Sequence, residues 1–214
     1  PKAWERLSET GPPGMGVSLP AGGGASLSDL VIVAEEAGAQ IAPLPIIDHV
    51  VASRILEKLN ALESEILTGN LIAGLVLRPV ENGIAKSVPT GSIADRLIAL
   101  DEDKILLLKD EPPNKSLPNH GDLPIAHRGI KNATVIAEGV EATSVFKRGL
   151  HEWKTLISAF LVGITRSSIE MTVSYVKDRH QFGKPIGSFQ SIQHLSLIHI
   201  SEPTRQEAIS YAVF

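Results

Sequence analysis

The sequence predicts an α+β protein with an N-terminal helical domain, a small middle β domain and the start of a C-terminal helical bundle. Apolar residues recur at three- and four-residue steps before residue 67 and again after residue 138. Between these stretches lie short apolar runs bounded by turn residues. Gly183 and Pro185 then end the long C-terminal periodic stretch. Domains are expected at residues 1–68, 69–137 and 138–195, followed by a tail at 196–214.

The helical part begins with a helix around Trp4–Ser8, to which Trp4 and Leu7 give a short apolar face. Gly11–Ser26, dense in Gly and Pro, is a loop. Ser26 or Ser28 caps the next helix, with Asp29 near its positive dipole end. That helix carries Leu27, Leu30, Val31, Val33, Ala34 and Ala37, and Gly38 marks its end. After Ala42-Pro43-Leu44-Pro45, another helix buries Ile46, Ile47, Val50, Val51, Ile55, Leu56 and Leu59.

In the middle region, Leu71–Leu77, Asp95–Asp101 and Lys104–Lys109 read as strands. Asp101-Glu102-Asp103 is a polar turn that makes a hairpin of the last two. Glu111–Pro124 reads as a loop, and Asn132–Ile136 as one more strand. Residues 138–180 read as one long helix, with Trp153, Ile157, Phe160, Ile164, Ser168, Met171 and Tyr175 forming a bundle-type seam. Ala159 and Gly163 permit close approach of a neighbouring helix. The helix is expected to stop near Phe182-Gly183, and a second to follow Gly187 with Ser188 as its N-cap.

Composition narrows the function. A length of 214 residues suits one or two domains, and 43% apolar with 21% charged residues is globular material. No apolar run approaches about 18 residues, so no transmembrane helix and no membrane partner is expected. The absence of Cys removes disulfides, thiol nucleophiles and Cys-ligated metals, and fits a cytoplasmic location. A net charge of −4 argues against nucleic acid as a partner, and 4% aromatics against a base-stacking platform. No Gly-rich phosphate loop opens a helix, and no metal-ligand set stands out. The start at Pro1, inside a helical pattern, suggests a piece of a longer protein.

The chemistry-bearing stretch runs from Tyr175 to His194. It joins the end of one helix, a tight turn and the start of the next. Arg179 lies where a helix dipole favours a cation. Gln181 and Gln190 offer donors and acceptors, and the amides at Gly187–Phe189 are free to meet an anion. Such a corner could hold a pyrophosphate and the edge of a ring. It could equally be a plain corner between helices, in which Arg179 only caps.

Taken as a pattern, YxxxRxQFGxPIxxFQxIxH resembles the acyl-CoA dehydrogenase family. Glu152–Gly163 resembles the first helix of that family's C-terminal bundle. Trp4–Gly11, Ser28–Gly38 and Ala42–Pro45 look like its N-terminal domain. Gly83–Asp95 is similar to the strand and turn beside its flavin. The resemblance implies FAD between the β domain and the bundle. It implies a Glu that removes the α-proton of an acyl-CoA thioester while hydride passes to flavin N5, giving a 2-enoyl-CoA. It also implies electron transfer to an electron-transfer flavoprotein, a role in fatty acid metabolism, and homo- or hetero-oligomers. Arg179, Gln181, Phe182 and Gln190 would touch the adenosine-pyrophosphate half of FAD, typically that of a neighbouring subunit. Thr90 would lie beside the isoalloxazine.

Four features depart from the family's pattern. The usual Thr-Glu-Pro flavin segment is missing before Gly83, where Leu77-Arg78-Pro79 stands. His151 and Lys154 occupy the positions of an Asp and an Arg that meet acyl-CoA. No residue stands in the place of the catalytic Glu, since Glu170 and Glu202 do not match by position, and no catalytic residue is assigned. From about residue 196 the sequence loses its amphipathic register, Pro203 interrupts it, and the string resembles a translated sequencing adapter, so a non-native tail is expected. A fragment of this kind is expected to be inactive alone. Two further readings stand beside it: a non-catalytic partner subunit of a heteromeric enzyme, and a helical domain with no ligand.

Overall fold

A computed structural model describes residues 2–192. The elements run α1 (Lys2–Ser8), a 3-10 turn (Pro12–Gly14), α2 (Leu27–Ala39), α3 (Ile46–Lys58) and α4 (Ser64–Leu67). Six strands follow: β1 (Ala73–Leu75), β2 (Ile84–Val88), β3 (Arg96–Asp101), β4 (Lys104–Leu108), β5 (Ala126–Gly129) and β6 (Thr134–Glu138). Then comes the long helix α5 (Gly139–Asp178). The chain forms two compact units that divide inside α5, after Gly163. The non-native tail expected from about residue 196 lies outside the described residues.

In the first unit, Ser26 is the residue that caps α2. Its backbone N–H donates to Asp29 Oδ2 at 2.9 Å, and Asp29 N–H donates back to Ser26 Oγ at 3.3 Å. Gly38 does not end the helix. α2 continues to Ala39, and the left-handed residue after it is Ile41, with φ 48°. Gly38 serves a helix crossing instead. A Cβ there would stand 1.9 Å from the Phe160 carbonyl oxygen, and one at Gly163 would stand 1.9 Å from that of Glu35. The backbones of α2 and α5 therefore touch where both lack side chains.

β1, β3, β4 and β6 form a four-stranded sheet in that order. β1 runs parallel to β3, whereas β3–β4 and β4–β6 are antiparallel. The β3–β4 hairpin turns at Glu102, φ 54°, where the acidic turn was expected. Period-two alternation splits the core. Ile98 and Ile105 face α3 and α5 residues such as Ile55, Leu56 and Phe146. Leu97, Ala99, Leu106 and Leu108 face a second cluster with Ala85 and Val88 of β2. β2 pairs with β5 in a separate two-stranded sheet. β5 is invisible to hydropathy because its inward positions are Ala126 and Arg128, one small and one charged.

Two ion clusters brace this unit. Glu63 receives Arg96 Nε at 2.9 Å and Nη2 at 2.8 Å, with Lys109 Nζ at 2.9 Å. The Arg96 hydrogen bonds, more than any other factor, hold the Glu63 carboxyl down at about 2. Glu152 of α5 pairs with Arg54 of α3 at 2.8 Å.

One stretch of α5 is long and apolar enough, by length and composition alone, to cross a membrane, where none was expected. The expectation counted unbroken apolar runs. The helix instead scatters few charges among Ser, Thr and Gly. Its part up to Gly163 buries Ala142, Phe146, Gly149, Glu152, Leu156 and Gly163.

Asp48 and His49 are neighbours on α3 with opposite electrostatics. His49 is fully buried. Its Nδ1 accepts the Ala73 N–H at 3.1 Å, so the neutral ring carries its proton on Nε2, which donates to the Ile66 carbonyl at 3.0 Å. Burial pushes its pKa down to about 4. The half-buried Asp48 accepts the Trp153 indole N–H at 3.1 Å and its own backbone N–H, but desolvation outweighs both and pushes its carboxyl up to about 6.

His49 contributes stability above the unfolded value near 6.5, and that contribution is lost as pH falls towards 4. Asp48 behaves oppositely. Its contribution is fully present below about 3.8 and is lost as pH rises through 6. Each is worth roughly 3 kcal/mol at most, so the two largely cancel between pH 7 and 4.5. Asp48→Asn keeps the indole acceptor and removes the desolvated charge. Urea melts should show it about 1–3 kcal/mol more stable at pH 7.5, with a steeper loss on acidification; no gain at pH 7.5 would refute this account. Gly38→Ala should lower the unfolding free energy by about 2–3 kcal/mol, because the added carbon meets backbone rather than a movable side chain.

Candidate functional site

The second unit carries the corner singled out in the sequence. α5 ends at Asp178, and Arg179 follows it. The Arg179 N–H donates to the Tyr175 carbonyl at 2.9 Å, and its own carbonyl accepts the Ile186 N–H at 2.7 Å. Between these bonds the chain makes a small β-hairpin, β7 (His180–Gln181) against β8 (Lys184–Pro185), where a bare turn between helices was expected. The two turn residues, Phe182 at φ 53° and Gly183 at φ 76°, are both left-handed, as a two-residue hairpin of matching twist requires. Glycine adopts that conformation freely. A phenylalanine there costs about 1–2 kcal/mol.

After β8 comes a 3-10 turn, Ile186–Ser188. Ser188 does not cap a following helix. Its hydroxyl donates back to the Pro185 carbonyl at 2.7 Å, and helical residues begin at 190, with Gln190 the first. The Phe182 ring is 91% exposed and meets Phe189 edge-on, with centroids 6.3 Å apart. Lys184 Nζ stands 4.5 Å from the Phe189 ring centroid. The side chains of Arg179, Gln181 and Gln190 are exposed and have no hydrogen-bond or ion-pair partner among the described residues.

One guanidinium, one ammonium, two amides and two aromatic faces therefore share one short stretch. The guanidinium suits bidentate binding of phosphate oxygens, and the rings suit a nucleobase. The structure brings four expected residues, Arg179, Gln181, Phe182 and Gln190, onto this stretch. Lys184 and Phe189 belong with them and were not singled out. The cation–ring contact that joins them was the available signal.

Thr90 lies in the first unit, in the turn after β2. It is only 2% exposed, and its hydroxyl is buried with no partner. The hydroxyl packs against Gly74 of β1, where a Cβ would come within 2.2 Å of it. His151 and Lys154 are exposed on α5, while the intervening Glu152 points inward to Arg54. Among the described residues, no group of three His, Asp or Glu side chains is placed to hold a metal.

Known proteins share both the sequence pattern and the fold. The family model described as acyl-CoA dehydrogenase, C-terminal domain, matches residues 143–199. The acyl-CoA dehydrogenase IpdE2 of Mycolicibacterium smegmatis is 31% identical over 176 residues, which cover 81% of this chain and 52% of that protein. The chain thus spans about half the length of this curated relative. The ChsE4-ChsE5 complex from Mycobacterium tuberculosis superposes with a TM-score of 0.76 at 20% identity, over 91% of this chain and 62% of the matched one. The FAD complex of PigA superposes with a TM-score of 0.77 at 19% identity, over 92% and 66%.

Proposed function

Because the chain belongs to the acyl-CoA dehydrogenase family, we propose that it is part of a flavoprotein that dehydrogenates an acyl-CoA thioester at its α and β carbons, giving a 2-enoyl-CoA. The observation that carries this reading is the donor set of Arg179, Gln181 and Gln190, whose side chains have no partner among the described residues. FAD, when bound, supplies the hydride acceptor. The chain's own residues would hold its adenosine-diphosphate half. Arg179 is the group to pair with the diphosphate, Gln181 and Gln190 to hydrogen-bond at its flanks, and Phe182 to lie against the base. The strained backbone of Phe182 supports this role, because the exposed ring gains little beyond its edge contact with Phe189 to offset the strain. No residue is assigned as the base. An electron-transfer flavoprotein as acceptor, assembly into oligomers and a cytoplasmic location complete the reading.

A second reading is favoured by Thr90. Its hydroxyl is sealed against Gly74 and reaches no open surface, so as folded it does not fit a flavin ring. A chain of this kind could lend its Arg179 corner to a flavin held by a neighbouring subunit while holding none itself. The structurally similar ChsE4-ChsE5 is a complex of two proteins, which agrees with such a partnership.

Fluorescence titration with FAD and with FMN tests the first reading. The chain alone should bind FAD weakly and substoichiometrically, and should discriminate against FMN, which lacks the adenosine half. Arg179→Gln should weaken FAD binding about tenfold. Phe182→Asn should leave the melting temperature unchanged or raised while weakening FAD similarly, because Asn tolerates the left-handed turn. Equal FAD affinity in Arg179→Gln and the wild type would refute the corner as the nucleotide site. Thr90→Val should add about 1 kcal/mol of stability by removing an unsatisfied hydroxyl, with FAD affinity unchanged. A loss of affinity in that variant would decide for a flavin ring bound on this chain.

A further inference from the structure

Arg128 of β5 is 4% exposed and forms no ion pair among the described residues. Its guanidinium donates only to main-chain carbonyls: Nη1 to Gly91 and Ala94, each at 3.0 Å, and Nη2 to Asp110. Three carbonyl dipoles and the more distant carboxylates of Asp110 and Asp95 offset its charge only in part, and desolvation, the largest influence, pushes its pKa down. A guanidinium has five N–H bonds, and the Nε–H of Arg128 has no acceptor among the described residues.

A cleft of about 310 Å³ opens beside it, lined also by His127, Lys131, Asn132, Asp110 and Glu111. Lys131 is exposed and has no ion pair among the described residues. His127 Nδ1 accepts the Ser87 N–H at 3.0 Å, which leaves the neutral ring's proton on Nε2 as a further donor. Asn132 donates to Asp110 Oδ1 at 3.4 Å and so engages one of the two carboxylates. Asp110 and Glu111 are exposed, where water and salt screen them, whereas the guanidinium is not. The balance therefore favours an anion at the Arg128 edge.

We propose that this cleft is an oxyanion site, in which Arg128 Nε and the Lys131 ammonium take a phosphate or carboxylate group of a small molecule. This site does not depend on the proposed nucleotide corner. Thermal melts and calorimetric titration with inorganic phosphate, with acetate and with chloride at matched ionic strength test it. One of the two oxyanions should stabilise the protein saturably beyond chloride, and which one does so identifies the headgroup. Lys131→Gln, an exposed change, should leave the melting temperature without anion unaltered and weaken binding about tenfold. Arg128→Lys should abolish binding. Because Arg128 also staples three carbonyls, the Lys131 variant decides if the Arg128 variant does not fold. Equal responses to all three salts, or unchanged binding in Lys131→Gln, would overturn the proposal.

Discussion

The imidazole of His49 sits where α3, the end of α4 and the start of β1 meet, and the packing around it requires the neutral ring. One nitrogen accepts from the sheet at Ala73 and the other donates to the helical segment at Ile66. Trp4 of α1 lies edge-on to the ring at 4.9 Å and donates its indole N–H to Gly69 at 2.8 Å. Four pieces of chain, α1, α3, α4 and β1, are thereby held about one side chain with no charge and no unmet hydrogen bond. A carbon skeleton of similar size would fill the space but leave two buried backbone groups unpaired. The rest of the first unit is assembled on that junction. β1 positions β3, β3 positions β4, and α5 closes over Ile98 and Ile105.

The corner after α5 follows a different logic. There the chain accepts an unfavourable backbone at Phe182 and leaves the Arg179 guanidinium and two side-chain amides without hydrogen-bond partners among the described residues. The core of the first unit, by contrast, leaves few polar groups unmet. Two of them are hydroxyls, those of Thr90 and Thr143. Local disagreement between residue type and conformation, set in an otherwise consistent fold, is where binding chemistry is expected. Arg128 is another such disagreement, a charge placed where β5 would ordinarily carry an aliphatic side chain.

Much of the architecture was legible because burial imposes periodicity. The α3 stripe from Ile46 to Leu56 and the β3–β4 hairpin follow directly from it. Gly38 was misread because the same residue serves a helix end and a helix crossing, and only the partner at Phe160 tells them apart. β5 was missed because its buried side chains are Ala126 and Arg128. Arg179, Gln181, Phe182 and Gln190 were found as a pattern, but the hairpin beneath them was not. A bulky residue at a left-handed position carries no hydropathic signal. His49 escaped notice for a related reason, since a histidine inside an apolar stripe looks like an interruption until its two hydrogen-bond partners are known.

The helix crossing at Gly38 and Gly163 also constrains how this sequence can be recombined. Each glycine admits the carbonyl of the opposite helix, so neither α2 nor α5 tolerates a methyl group at the crossing. The two glycines lie more than a hundred residues apart in the sequence, yet their helices behave as a single heritable module. A chimera that takes one from this protein and the other from a relative with a larger residue at either position would force the backbones apart. Exchange between relatives is therefore expected to move these two segments together or to spare both.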